Sequence, residues 1–296
     1  MNESAVSTMV GLSNGVINLF ESSALQIANG AQLTENKVDF FINPKEDTNN
    51  SLMKKCAPMA GLNNNEIRAT QAYIDSAMEE LSTLGLSLTV SCDAYEWRKL
   101  LENAPGVRPL ASTFDPDPND IRNRDMFWIA FRNDDGEAIA CVGSRFVETD
   151  DFVNEWVTTW RIFGDRTPYL NIQTMDYIDP LPTFKKRIGY GGGLWVHPEW
   201  RGNDLAARIS RLARVVTLRH FCADYYTVFV ECIPKKLEWA RKTLGWPNGA
   251  NLCHGYYPAR DDVISVAIFW AGREEILTMC RRNELGIQDR LLKRTA

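Results

Sequence analysis

Between Leu194 and Ala206 the chain reads Leu-Trp-Val-His-Pro-Glu-Trp-Arg-Gly-Asn-Asp-Leu-Ala, an apolar run stopped by a proline, a turn at Arg201-Gly202, and then an amphipathic segment. No other stretch restricts the fold so strongly. Leu205, Ile209, Leu212 and Val216 recur at i, i+4, i+7 and i+11, so a helix with one apolar face starts directly after the turn. A strand that empties through a tight loop into a helix collects unpaired backbone N–H groups and the positive end of the helix dipole. That combination suits a pyrophosphate.

The following residues place this unit in a larger order. Tyr225 to Glu231 is β-branched and aromatic and reads as a strand, and Lys235 to Leu244 reads as a helix between Pro234 and Gly245. Val263 to Trp270 is a strand-length apolar run that would complete a sheet. Upstream, Leu86 to Ser91 reads as a strand and Tyr95 to Glu102 as a helix started by Asp93. Met126 to Phe131 and Ala138 to Phe146 flank Asn133-Asp134-Asp135-Gly136, a hairpin by its turn chemistry.

The segment Val196-x-Pro198-x-x-Arg201-Gly202-x-Asp204-x-Ala206 resembles the acyl-CoA-binding motif of the GNAT superfamily of N-acetyltransferases, Val-x-Pro-x-x-Arg-Gly-x-Gly-x-Gly/Ala. Asp204 stands where the pattern has its middle glycine. The resemblance in element order runs from about Leu84 to Trp270, with Gly245-Trp246 in the place of the family's Gly-Phe ending. It implies an α+β fold, a mixed, mostly antiparallel sheet flanked by helices. It also implies acetyl-CoA or another acyl-CoA as substrate, with no metal, and transfer of the acyl group to an amine-bearing small molecule or protein. Trp195, Val196 and His197 would pair with the pantetheine arm, and Arg201, Gly202, Asn203, Asp204, Leu205 and Ala206 would hold the pyrophosphate.

Acyl transfer to an amine needs a proton acceptor for the amine, donors for the carbonyl oxygen and a proton for the departing thiolate. The resemblance implies a backbone donor on the strand before the loop. Its usual acid, a tyrosine on the later helix, aligns with Arg241. Glu231, at the end of its strand, and Tyr256 are the alternative candidates, while His197 reads as a supporting or surface residue. Asp204 would either compete with a pyrophosphate for the loop amides or cap the helix and point away. A second reading follows from Asp204 and Arg241, namely a fold of this kind that binds acyl-CoA as a sensor or interaction module without turnover. A third is transfer from an acidic acyl carrier protein, using Arg208, Arg211 and Arg214, which otherwise read as a solvated face with Arg219 closing the last turn.

Composition narrows the class. A formal charge of −5 provides no overall footprint for nucleic acid. The seven cysteines are scattered without a Cys-x-x-Cys pair, which argues for reduced thiols and against a zinc site. The longest apolar stretch, Val263 to Ala271, falls far short of the roughly 20 residues a crossing helix needs. With no positively charged leader at Met1-Asn2-Glu3-Ser4, the expectation is a soluble, cytoplasmic protein without a membrane partner.

The expected organisation is an N-terminal extension over 1–82, partly helical, and an acyltransferase-like domain over 83–296. In the extension, Ile67, Ile74, Met78 and Leu81 share a helical face, and the remainder packs on the domain or serves as an arm for a partner. Asp115 to Asp120 reads as a rigid acidic connector, or as a rim that recognises an amine. An aromatic-rich insertion spans 148–187, its first part a helix with Phe152, Trp156 and Trp160 on one stripe.

Overall fold

A computed structural model describes residues 61–106, 112–119, 121–122, 124–157, 176–177, 181–257 and 262–282. They build one eight-stranded sheet in the order β1-β2-β3-β5-β6-β8-β7-β4. The strands are β1 (Ser87–Ser91), β2 (Met126–Arg132), β3 (Ala138–Thr149), β4 (Asp176–Tyr177), β5 (Lys186–Val196), β6 (Tyr225–Glu231), β7 (Asn248–Tyr257) and β8 (Asp262–Gly272). Every pairing is antiparallel except β5 with β6. The α+β class and the mixed, mostly antiparallel sheet flanked by helices are therefore as expected.

Local chemistry sets the element boundaries. Helix α1 (Asn64–Thr83) opens with a capping box, in which the Asn63 side chain takes the Glu66 amide and the Glu66 carboxylate takes the Asn63 amide. Helix α2 (Ala94–Asn103) starts where Asp93 accepts from the amides of Tyr95 and Glu96. A four-residue turn, α3 (Pro116–Asn119), follows. Helices α4 (Leu205–Phe221), α5 (Pro234–Lys242) and α6 (Arg273–Arg281) complete the set.

The sheet separates two cores. On one face, α1, α4 and α6 bury Tyr73, Ile74, Leu81, Leu212, Phe221 and Ile276 against Phe127, Ile129 and Phe269. Leu205, Ile209, Leu212 and Val216 are all buried, as their spacing requires. On the other face, Trp97 and Leu101 of α2 join Phe114, Trp128, Phe152, Phe184 and Tyr190.

The arginines of α4 do not form a solvated face. Arg208 pairs with Glu80 of α1, Arg211 donates to the Thr243 carbonyl at 3.3 Å, and Arg219 donates to the Ile67 carbonyl at 2.9 Å. Arg214 is 2 % exposed, donates to the Leu244 and Gly245 carbonyls at 2.5 and 3.0 Å, and lies 4.0 Å over the Trp246 ring. Burial pulls its pKa down to about 10. These cations cap the end of α5 and fasten α1, so the carrier-protein reading loses its basic surface.

Three further expectations change. β8 lies between β6 and β7 instead of finishing the sheet, because the polar segment Asn248–Tyr257 is itself a strand. The acidic connector is engaged by α2. Asp117 takes Arg98 at 2.6 Å and the Tyr95 hydroxyl at 3.0 Å, with Asp115 at 3.5 Å from Arg98. In the insertion, Phe152 is fully buried and Val153–Val157 forms a single π-turn, while Trp160 lies outside the described residues.

Candidate active site

The central feature is a fork. β5 and β6 pair from Ile188↔Tyr225 to Gly191↔Val228 and then part. Beyond that point β5 stays on β3, with Val196 opposite Ala140, and β6 stays on β8, with Glu231 opposite Val266. Each prong is held on its outer side, and its inner edge presents main-chain groups that have no partner on the facing prong.

The cause of the divergence lies in β5. Between Cys141↔Trp195 and Gly143↔Gly192, three steps on β5 oppose two on β3, which makes a bulge on β5. A bulge bends its strand and adds twist. Gly193 sits in it at φ +64°, and a Cβ there would come within 2.6 Å of the Trp97 ring. Gly191 and Gly192 are crowded as well, by the Tyr226 hydroxyl and by Phe114. At Gly191 the Tyr226 side chain crosses β5 and meets Ser144 of β3 at 3.0 Å, fully buried. That hydrogen bond ties the two neighbours of β5 together at the root of the fork. The glycine run Gly191-Gly192-Gly193 was the available sequence signal, since glycine inside a strand marks a bulge or a close approach.

β5 leads into the loop. His197 starts a 3-10 turn, Pro198–Trp200, its Nδ1 accepting from the Glu199 amide at 3.4 Å. Arg201 turns back, its Nε donating to the Val196 carbonyl at 3.3 Å, and Asn203 donates to the Trp200 carbonyl at 3.2 Å. Asp204 then takes a left-handed conformation, φ 56° and ψ 12°, and its carboxylate makes no capping hydrogen bond. It neither caps the helix nor occupies the amides. Arg208 is the first α4 residue whose amide reaches a helix carbonyl, that of Asp204 at 3.0 Å. The amides of Leu205, Ala206 and Ala207 precede it at the open end of the dipole.

At Asp204 a residue with a Cβ holds a backbone conformation that glycine adopts freely. A left-handed φ costs a residue with a Cβ on the order of 1 kcal/mol, least for Asn and Asp, which keep local hydrogen bonds within reach.

The fork brings Trp195, Val196, His197 and Arg201 through Ala206 into one continuous path from prong to helix. Trp195 is largely spoken for, its indole donating to the Pro105 carbonyl at 3.2 Å on the α2 face. Glu231 ends the opposite prong, and its carboxylate receives Lys236 at 2.6 Å. Tyr256 is not beside it. Tyr256 lies on β7, one strand beyond β8, and its backbone pairs with Val263 of β8, three residues from Val266 and roughly 10 Å along the sheet. The Tyr256 side chain lies outside the described residues. Arg241 stands 5.8 Å over the Phe269 ring.

Above the fork root, on the α2 face, Tyr190, Phe229, Phe114 and Phe152 form an aromatic cluster with ring separations of 4.9 to 6.4 Å. Among the described residues, no group of His, Cys, Asp and Glu is arranged to hold a metal, and no helix is long and apolar enough to cross a membrane.

No family model matches the chain, and no curated protein matches it. Solved structures do. Arabidopsis thaliana NAA60 in complex with acetyl-CoA is 12% identical with a TM-score of 0.42, over 64% of this chain and 99% of that one. SpeG spermidine N-acetyltransferase from Vibrio cholerae is 10% identical with a TM-score of 0.38, over 65% and 96%.

Proposed function

We propose that the protein transfers an acyl group, most simply acetyl, from coenzyme A to an amine-bearing acceptor. The observation that carries this reading is the continuity of the fork with the amides at the start of α4. The pantetheine arm lies between the prongs as an added strand, and the pyrophosphate sits on the loop, Arg201 through Ala206. The resemblance to the GNAT motif, stated on these same residues, supports it.

In the reaction a neutral amine attacks the thioester carbonyl, the C–N bond forms, the C–S bond breaks, and the thiolate leaves with a proton from an acid. The β5 amides at the bulge face the developing oxyanion. Glu231, whose carboxylate also receives Lys236, takes the proton lost by the amine, directly or through water. Tyr256 is the candidate proton source for the thiolate. Its distance along the sheet from Glu231 suits two groups acting on opposite sides of the transfer.

The Glu231–Lys236 ion pair and the presence of Arg241 in the usual acid's place favour a second reading, an acyl-CoA-binding module without turnover. Two measurements separate them. Acetyl-CoA at about 100 times its dissociation constant adds about 2.7 kcal/mol of stability, so a rise in Tm is expected. Absence of any shift with acetyl-CoA, longer acyl-CoAs or free CoA overturns both readings. Release of free thiol over a panel of amines identifies the enzyme, and binding without release on every amine identifies the module.

A further inference from the structure

The two ends of the sheet are finished differently. β4, at one end, is two residues long, whereas β1, at the other, pairs with β2 over five residues, Ser87↔Arg132 to Ser91↔Trp128, without a bulge. An open edge presents a row of N–H and C=O groups that can template another strand, and chains blunt such edges with lysine, proline, a bulge or brevity. β1 reads Ser-Leu-Thr-Val-Ser and uses none of these devices. Among the described residues, β2 is its only strand partner.

The strand suits a copy of itself. Laid antiparallel across a two-fold axis at Thr89, normal to the sheet, it sets Ser87 opposite Ser91, Leu88 opposite Val90 and Thr89 opposite Thr89. That axis keeps the two faces of the sheet apart. Leu88 and Val90 belong to the core on the α1 and α4 side, so apolar meets apolar there and hydroxyl meets hydroxyl on the other side. Any alternating strand would match that far, and two details go further. Thr89 Oγ1 accepts from Arg132 Nε at 3.2 Å, which leaves the Thr89 hydroxyl proton without an acceptor among the described residues. Charge then selects the register. Arg132 stands beside the first half of β1, paired with Ser87 and bonded to Thr89, while Glu96 stands at its end, accepting from the Ser91 hydroxyl at 3.1 Å. Neither makes an ion pair within the chain among the described residues. Because the two-fold sets Ser91 opposite Ser87, it brings each Glu96 to the end where Arg132 of the partner subunit stands.

We propose that β1 pairs with β1 of a second copy of this chain, so that two eight-stranded sheets join into one across a two-fold axis at Thr89. Main-chain hydrogen bonds hold the strands, as in other cases of strand addition, and the two symmetric Glu96–Arg132 contacts set which copy residue lies opposite which. Five paired residues make a contact at the small end of specific interfaces, so the dimer assembles over the micromolar range. β2 and β3 stand between β1 and the fork, and the inference does not depend on the acyl-transfer reading.

The test is sedimentation equilibrium of the full chain across the micromolar range, joined to disulfide trapping. A species of twice the chain mass is expected to grow with concentration. Thr89→Cys puts two thiols opposite each other on the axis, with Cβ atoms about 5 Å apart, and mild oxidation should lock the dimer in a non-reducing gel. Ser87→Cys is the control for register. Its two copies lie four steps apart along the strands, roughly 13 Å, and should cross-link no more than the parent chain. Glu96→Lys and Arg132→Glu should each weaken the dimer about tenfold, and the two together should restore it, with Tm reporting that each variant is folded. A monomer at every concentration overturns the inference, as does a dimer that Thr89→Cys fails to lock, which would form elsewhere on the chain. Equal cross-linking at Ser87→Cys, or a dimer indifferent to Glu96→Lys, overturns the register and the charge contact that defines it.

Discussion

The start of α4 and its flank carry opposite lessons. The flank holds four arginines, Arg208, Arg211, Arg214 and Arg219, and every one is engaged with protein atoms. The start carries no cation, a carboxylate stands at its N-cap, and its amides are open. Positive charge in the sequence therefore marks where the fold is fastened. The proposed anion seat rests on backbone geometry, which contributes nothing to a count of charges. A basic helix face and a run of open amides are separate properties, and here one helix separates them by about a turn.

Substitutions can break or sharpen that contrast. Arg214→Met strands the Leu244 and Gly245 carbonyls and should cost about 3 kcal/mol in urea unfolding, with acetyl-CoA affinity within twofold of the parent. A tenfold loss of affinity at intact stability would erase the distinction between flank and end.

Glu66 tests the fastening through pH. The Arg273 guanidinium, at 2.7 Å, holds the Glu66 carboxyl below the usual carboxylate range. The stabilisation is thus fully present above the unfolded carboxylate pKa and is lost as pH falls through the lower, folded pKa. Glu66→Gln should cost about 2 kcal/mol at neutral pH and flatten the acid limb of a Tm-against-pH curve. A limb of unchanged slope would mean the pair contributes no proton linkage.

Tyr226→Phe removes the hydroxyl that meets Ser144 across β5, in the closed part of the molecule but at the root of the open part. A loss of about 1 kcal/mol is expected, together with a weaker acetyl-CoA complex. If stability drops and affinity does not, the clamp serves the core alone. Asp204→Gly has the smallest effect on stability, a gain of about 0.5 kcal/mol from relief of the left-handed backbone. Removing the carboxylate should also tighten acetyl-CoA by about fivefold in calorimetry, since like charges a few ångströms apart in a solvated loop oppose by about 1 kcal/mol. Unchanged affinity would show that Asp204 points away from the bound phosphates.

Much of the architecture was legible because its signals are local. Asp93 as a cap, the Asn-Asp-Asp-Gly hairpin and the apolar face of α4 each depend on residues within a turn or two of one another. β7 was not, since Asn248-Gly249-Ala250-Asn251 has little strand propensity and is held by pairing to β8. The destination of the arginines was hidden for the same reason. Their acceptors, from the Leu244 carbonyl to that of Ile67, lie 30 to 152 residues away in sequence. Within the candidate site, the loop from Val196 to Ala206 could be read directly from its residues. The fork could not, because it depends on where β5 and β6 cease to pair and on Tyr226 crossing to Ser144. That Glu231 ends its strand could be read from its residues, but its pairing with Lys236 needed the start of α5 in three dimensions.

The glycine run of β5 also limits how this protein can vary. At Gly191, Gly192 and Gly193 a single added methyl collides with Tyr226, Phe114 or Trp97, so the inner prong offers mutation almost nothing to work with. Innovation is displaced onto the rings that stand over it. A library aimed at the fork should therefore keep Gly191, Gly192 and Gly193 as glycine and diversify the rings packed beside them, Tyr190, Phe229 and Phe152, as one buried cluster that must repack together.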